Sequence, residues 1–390
     1  MLHVHGAAAI AYRLYDVGYA IDLTRALDLL AASGPERVRP VRGEAQALQI
    51  SNPPITVVLG TEIVVLGETS HDAEVSARIF DFGVVSLRVR FAAASALSWE
   101  AFTAFGRRLE HHPGVLAVIE HHLRLLTERI APAVDRPVVA GVHEDYTVFR
   151  GSHLTEGPDL PAGDGDGDSG GGTGTDDAVV LPRVLTESLA QLDMAPLLLN
   201  EVRPLSADAR RELLPHRFSY YADDLAVLAW ESALIVEPGA HDTDVQYILE
   251  FANAQLLELR YYDALLDQEL PKLYDAIERA RATRAVFPGR RFAALLAQLQ
   301  QRVADSTELV ERVENALKVT DDVYLARVYS AALELFRGRA WRAGIDRKLA
   351  ILRDTYAMLN GEAQAARSET LEIAIVALIV VEVIMGLARG

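Results

Sequence analysis

The sequence predicts an α+β protein: a mixed-sheet domain, then long antiparallel helices, then a C-terminal aliphatic helix read as transmembrane. Three observations carry this. Up to residue 243, stretches rich in β-branched and aromatic residues alternate with stretches of helical spacing. Beyond Asp244, apolar residues recur at 3- and 4-residue intervals almost without interruption. The final segment, Leu371 to Gly390, reads LEIAIVALIVVEVIMGLARG, aliphatic over most of its length but with Glu382 inside the run.

The elements follow in order. Residues 1–156 form an α/β part. Ala7 to Tyr15, Ile55 to Leu66, Ile79 to Phe91 and Val138 to Phe149 have strand composition bounded by Gly, Pro or Asn. Leu23 to Ala31 and Trp99 to Ile130 have helical spacing, the second broken at His112-Pro113-Gly114. Residues 157–177 are a Gly/Asp-rich tract with nothing to bury, which predicts a flexible loop. Residues 178–243 supply the remaining strands, His216 to Tyr221 and Leu225 to Val236, with Ala222-Asp223-Asp224 as the turn. The loop therefore reads as an insertion within one sheet domain. Residues 244–366 form the helical hairpins, renewed after a break at Pro271, stopped at Pro288-Gly289, and closing with helices 322–339 and 342–360, the last capped by Gly361. Residues 367–390 are the aliphatic helix.

With 390 residues, half of them hydrophobic, the chain can bury cores of ordinary size. A net charge of −17 argues against direct nucleic-acid binding, which demands clustered Lys and Arg. No cysteine is present, so disulfides, thiolate nucleophiles and Cys-ligated metals are excluded. The first residues lack a basic segment followed by a continuous apolar one, so no secretory signal is expected. The bulk of the protein is expected in the cytoplasm.

The tail sets the functional expectation. From Ile373 to Leu387 the apolar run spans roughly 22 Å, a marginal length against a hydrocarbon core of about 30 Å. Glu372 and Glu382 lie ten residues apart, so they project some 80° from each other, about 15 Å along the axis. A carboxylate inside such a run needs a partner and is a candidate determinant of assembly, with Arg367 and Arg389 the nearest cations. The alternative is a soluble homo-oligomer with this helix as its assembly core.

Catalytic signals are weak. Asp164, Asp166 and Asp168 have calcium-loop spacing, but Ser169 and Thr175 stand where such a loop needs glycine and a bidentate glutamate. Two triplets, Glu110-His111-His112 and Glu120-His121-His122, are weak metal candidates and underlie a third reading as a metal-dependent hydrolase. Adjacent histidines diverge on a helix, however, and the H-E-x-x-H spacing is absent. No nucleophile elbow, phosphate loop or dinucleotide fingerprint occurs. The chain is therefore expected to be non-enzymatic, with no cofactor.

From Asp321 onward, DDVYLARVYSAALELFRGRAWRAGIDRKLAILRDTYAML and then RSETLEIAIVALIVVEVIMGL resemble the C-terminal signature of the required-for-meiotic-nuclear-division and YagE-like proteins. The motif-like positions are Tyr324, Arg327, Tyr329, Trp341 and Lys348, followed by the Arg-Ser lead-in to the tail. Asp81-Phe82-Gly83-Val84-Val85 resembles a strand of the same family. The resemblance covers about residues 75–390. It implies a membrane-associated, oligomeric protein without established catalytic residues, whose mitochondrial relatives support translation of membrane proteins. The expected function is that of a membrane-anchored oligomeric scaffold or tether.

Overall fold

In a computed structural model, the residues described are 2–31, 36–37, 52–110, 112–138, 141–156, 192–221, 223–239, 243–282 and 322–389. The Gly/Asp-rich tract, the segment after it to residue 191 and the helices expected across residues 283–321 lie outside them.

The N-terminal elements are β1 (Leu2–His5), β2 (Ala8–Asp16), β3 (Gly18–Ile21), α1 (Leu23–Leu30), β4 (Glu36–Arg37), β5 (Ile55–Leu66), β6 (Thr69–Ile79), β7 (Val84–Ala92) and β8 (Leu97–Ser98). Next come α2 (Trp99–Leu109), α3 (Pro113–Ile130), β9 (Val134–Pro137), β10 (His143–Gly151) and β11 (His153–Glu156). They are followed by α4 (Ala195–Leu198), α5 (Ala207–Leu213), β12 (His216–Phe218), β13 (Leu225–Leu228) and β14 (Ser232–Val236). The chain ends with α6 (Asp244–Ala282), α7 (Val323–Leu335) and α8 (Gly338–Arg389).

Two compact units result, Met1–Glu258 with Lys318–Arg337, and Leu259–Leu317 with Gly338–Gly390. The first is α+β. Its nine-stranded sheet has the order β12-β13-β14-β10-β2-β7-β6-β5-β4. It is mixed because β10 and β14 run parallel while the neighbouring pairs are antiparallel. One face, through Leu87, Phe91 and Phe149, joins Phe102 of α2 and Ile119 of α3 in the apolar core. The helices start where capping chemistry places them. Asp22 accepts from the Thr24 and Arg25 amides, and Ser98 accepts from the Ala101 amide.

The other face carries a polar row among buried apolar residues such as Ile10, Leu14 and Val148. Tyr12, Ser86 and Arg88 alternate with the core residues of β2 and β7, and Arg78 does so on β6. Against them α6 turns Gln246 and Glu250. Arg78 and Glu250 form a buried ion pair, and the Gln246 amide donates to the Tyr12 hydroxyl.

The expected Ile79–Phe91 strand is two strands. Phe80 to Gly83 form a tight turn, with the Phe80 amide donating to the Val84 carbonyl at 2.9 Å. Gly83 takes a φ of 97°, and a Cβ there would sit 1.8 Å from the Gly18 carbonyl oxygen. The family-like Asp81-Phe82-Gly83 is thus the turn itself, with the Val17 amide donating to Gly83 and the Ile21 amide to Asp81. Leu225 to Val236 is likewise a hairpin of β13 and β14.

In the second unit α8 is a continuous 52-residue helix that runs through Gly361, where a cap and turn were expected. Gly361 has no left-handed φ and a Cβ there would meet nothing within 4 Å, so it serves as an ordinary helical position. The expected break at Pro271 is also absent, since Pro271 lies inside α6. The transmembrane reading of the tail is overturned: among the described residues no helix is long and apolar enough to cross a membrane. The aliphatic run falls short of the bilayer's hydrocarbon thickness, and Glu382 interrupts it. With the span go the tail-anchored placement and the membrane as partner.

Candidate functional site

The first unit carries an open cleft of about 550 Å³ on the helix-covered side of the sheet, lined by β2, α3, β9 and β10. Its floor carries Arg13, Tyr15 and His143, with Asp145 beside them on the same sheet face. In the antiparallel register of β2 with β10, Arg13 stands opposite Asp145 and Tyr15 opposite His143. Alternation puts all four on one face. Arg13 grips Asp145 with both arms of its fork, Nε to Oδ1 at 2.5 Å and a terminal nitrogen to Oδ2 at 2.6 Å. That hydrogen bond, above all, holds the Arg13 guanidinium protonated beyond its usual range despite burial. Burial pushes the Tyr15 phenol up, opposed by its hydrogen bond to Arg13.

The wall is α3. Glu120, Leu123, Arg124 and Thr127 fall at i, i+3, i+4 and i+7, the spacing of one helical face. Val134, Pro137 and Val138 close the remaining side, and Val17 extends the floor. The Thr127 hydroxyl donates back to the Leu123 carbonyl at 2.8 Å, so it is engaged within its own helix. His143 Nε2 stays 3.7 Å from Asp145 Oδ2, beyond hydrogen-bond distance. The arrangement suits binding: it has charge of both signs, an aromatic edge and an aliphatic side.

The sequence-nominated histidines are dispersed. His112 caps α3, its Nδ1 accepting from the Gly114 amide at 3.1 Å. His121 is exposed with its Nδ1 3.4 Å from Arg124, while His122 is buried with Nε2 2.9 Å from Glu62 Oε1. His111 lies outside the described residues. Among the described residues no group of three His, Asp or Glu side chains could hold a metal ion. Among the described residues of the two triplets, Glu120 alone lines the cleft. Arg13, Tyr15, His143 and Asp145 were missed: each pair is an i, i+2 doublet, but Tyr12 and Asp16 in β2 and Glu144, Thr147 and Arg150 in β10 leave neither doublet distinct in the sequence.

The tail-related positions separate into two groups. In the first unit, Tyr324 stacks obliquely on Tyr220 at 5.3 Å, Arg327 lies 6.0 Å from the Phe218 ring centre, and the buried Tyr329 hydroxyl meets Gln255. In the second, Trp341 faces Arg260 at 6.0 Å. Lys348 bridges Asp263 and Asp267 at 2.7 and 2.6 Å. Burial alone would lower the Lys348 ammonium, but the two carboxylates outweigh it and hold its pKa above the usual value. Glu372 and Glu382 are exposed on α8, which also contains Arg367 and Arg389.

These positions read as packing and ion pairing within each unit. None lies in the cleft.

Comparison with known proteins places the first part of the chain. Uncharacterized protein MJ0711 of Methanocaldococcus jannaschii is 24% identical over 196 residues, 50% of this chain and 59% of the relative. The chain thus spans less than two thirds of that relative's length. No solved structure matches it. A family model covers residues 6–163 and 182–243, which include the floor residues, Asp145 and the α3 wall but none of the tail-related positions. Since that match covers more than half of the chain, the protein belongs to the family described as "Uncharacterized protein MJ0711, N-terminal domain".

Proposed function

We propose that this protein is a non-enzymatic, homo-oligomeric interaction protein of the scaffold type, with the distal half of α8 as its assembly core. We place it, on the tail residues, beside the required-for-meiotic-nuclear-division and YagE-like proteins. One observation carries the reading. Leu371, Ile375, Leu378, Ile379, Ile384 and Leu387 are each more than half exposed, on every side of the helix. A helix that is apolar all round is stable when buried by others, and each such side chain gains about 1.5–3 kcal/mol on burial. A surface patch of this kind marks an interaction site.

A second copy of the same helix fits this segment. An antiparallel pair centred between Val380 and Val381 superposes the two aliphatic runs. By spacing alone it sets Glu372 of one chain opposite Arg389 of the other, and the reverse. The symmetry of such a contact is that of closed dimers.

Sedimentation velocity on the full chain and on Leu378→Asp/Ile379→Asp tests the reading. An oligomer that becomes monomeric in the variant, with the same far-UV spectrum, is expected. A full-length protein that is monomeric at micromolar concentration refutes it.

A further inference from the structure

We propose that the cleft over β2 and β10 binds a small zwitterion of the amino-acid class, an apolar or aromatic amino acid or a dipeptide, in its charged form. The floor charge of Arg13 is cancelled, since Arg13 and Asp145 satisfy each other through two hydrogen bonds. The charge left to meet a ligand is carried by Glu120 and Arg124 on the wall. They are one helical turn apart, close enough to neutralise each other as an i, i+4 pair. They do not: among the described residues no ion pair joins them, and the Arg124 guanidinium turns to His121 at 3.4 Å instead.

Two opposite charges lining one cavity and not engaged with each other suit a ligand carrying both signs, with its ammonium on Glu120 and its carboxylate on Arg124. A simple anion would meet Glu120, and a simple cation would meet Arg124. Beside these charges the cleft offers the Tyr15 ring and the aliphatic surfaces of Leu123, Val134 and Val138, which define an apolar side chain for the ligand. The volume of about 550 Å³ accommodates a dipeptide as well as a single residue.

Titration calorimetry on the full chain tests this with L-phenylalanine and the dipeptide Leu-Leu. The blocked compounds phenylalaninamide and N-acetylphenylalanine serve as single-charge probes. Saturable binding of at least one zwitterion is expected, weakened about three- to tenfold by either block. Glu120→Gln should erase discrimination against the acetylated compound and Arg124→Gln that against the amide. Both residues are exposed on α3, so unchanged melting checks that the fold is intact. Tighter binding of phenylalanine or of Leu-Leu identifies which size the cleft takes. No saturable binding of either zwitterion, or equal binding of blocked and unblocked compounds, overturns the assignment. Because the cleft lies in the first unit, an altered oligomeric state in α8 variants leaves this result unaffected, and the two proposals fail separately.

Discussion

One face of the nine-stranded sheet is covered by α2 and α3 through Phe91, Phe102, Phe149 and Ile119, while the other meets α6 through Tyr12, Arg78, Gln246 and Glu250. Both are buried, but their physics differs. Apolar contact is non-directional, so the first face fixes that helices pack there without fixing closely where. Directed contacts on the second face are satisfied at a single rotation and register of α6. A misplacement would leave a guanidinium or a carboxylate desolvated and alone. The apolar face thus supplies adhesion, and the polar row of the other face adds address to the apolar contacts made there by residues such as Ile10 and Leu14.

The largest effect is expected where that address is removed from one side only. Glu250→Ala strands Arg78, which is 3% exposed, and should cost about 3–5 kcal/mol in urea unfolding. Replacing both members, Arg78→Met with Glu250→Leu, should recover most of the loss, because packing then takes over from the ion pair. Phe102→Ala on the other face should cost about the same, 3–5 kcal/mol, through the cavity it leaves. No second substitution at Glu250 should rescue it, since the faces are independent. A rescue of equal size on both sides would erase the distinction.

Asp16 sharpens the comparison through pH. It ends β2 beyond the polar row and accepts from the Gly18 amide at 3.1 Å. Burial raises its carboxyl pKa to about 7, from an ordinary value of 3.8. Between those values the unfolded chain releases the proton while the folded chain keeps it, so the folded state binds more protons and stability falls as pH rises. The loss builds from about pH 4 to about pH 7 and is constant above, amounting to a few kcal/mol (at most about 4). Asp16→Asn, which retains an acceptor for Gly18, should abolish this contribution and be more stable than the parent at pH 8. Equal slopes of stability against pH in both proteins would remove Asp16 from the account.

The sequence showed the apolar face better than the polar one, for a physical reason. Ile55 to Leu66 announces β5 by its own composition. The strand β6 was missed because it buries Ala73, Val75 and Ala77 and presents Glu74, Ser76 and Arg78 between them, a weak apolar signal. Arg78 finds Glu250 172 residues away, and Arg13 finds Asp145 132 residues away. No local pattern encodes either meeting. The cleft was legible only as Glu120, which its histidine neighbours made look like a metal ligand. At the tail the aliphatic run was read as a membrane span or an assembly helix, and the first reading fails because no described helix is long and apolar enough to cross a bilayer.

The smallest predicted effect is the most discriminating. Tyr12→Phe keeps the ring, which is 3% exposed, and removes only the hydroxyl that accepts from Gln246. If the polar face sets the register of α6, the cost should be about 1 kcal/mol, that of one buried hydrogen bond. It should also be local, raising amide hydrogen exchange in the first turns of α6, around Gln246 and Glu250, while leaving α3 on the opposite face unchanged. A loss of similar size spread evenly over both faces would mean that Tyr12 acts through packing. No loss at all would mean that Arg78 and Glu250 hold α6 in register by themselves, with Gln246 only filling space beside them.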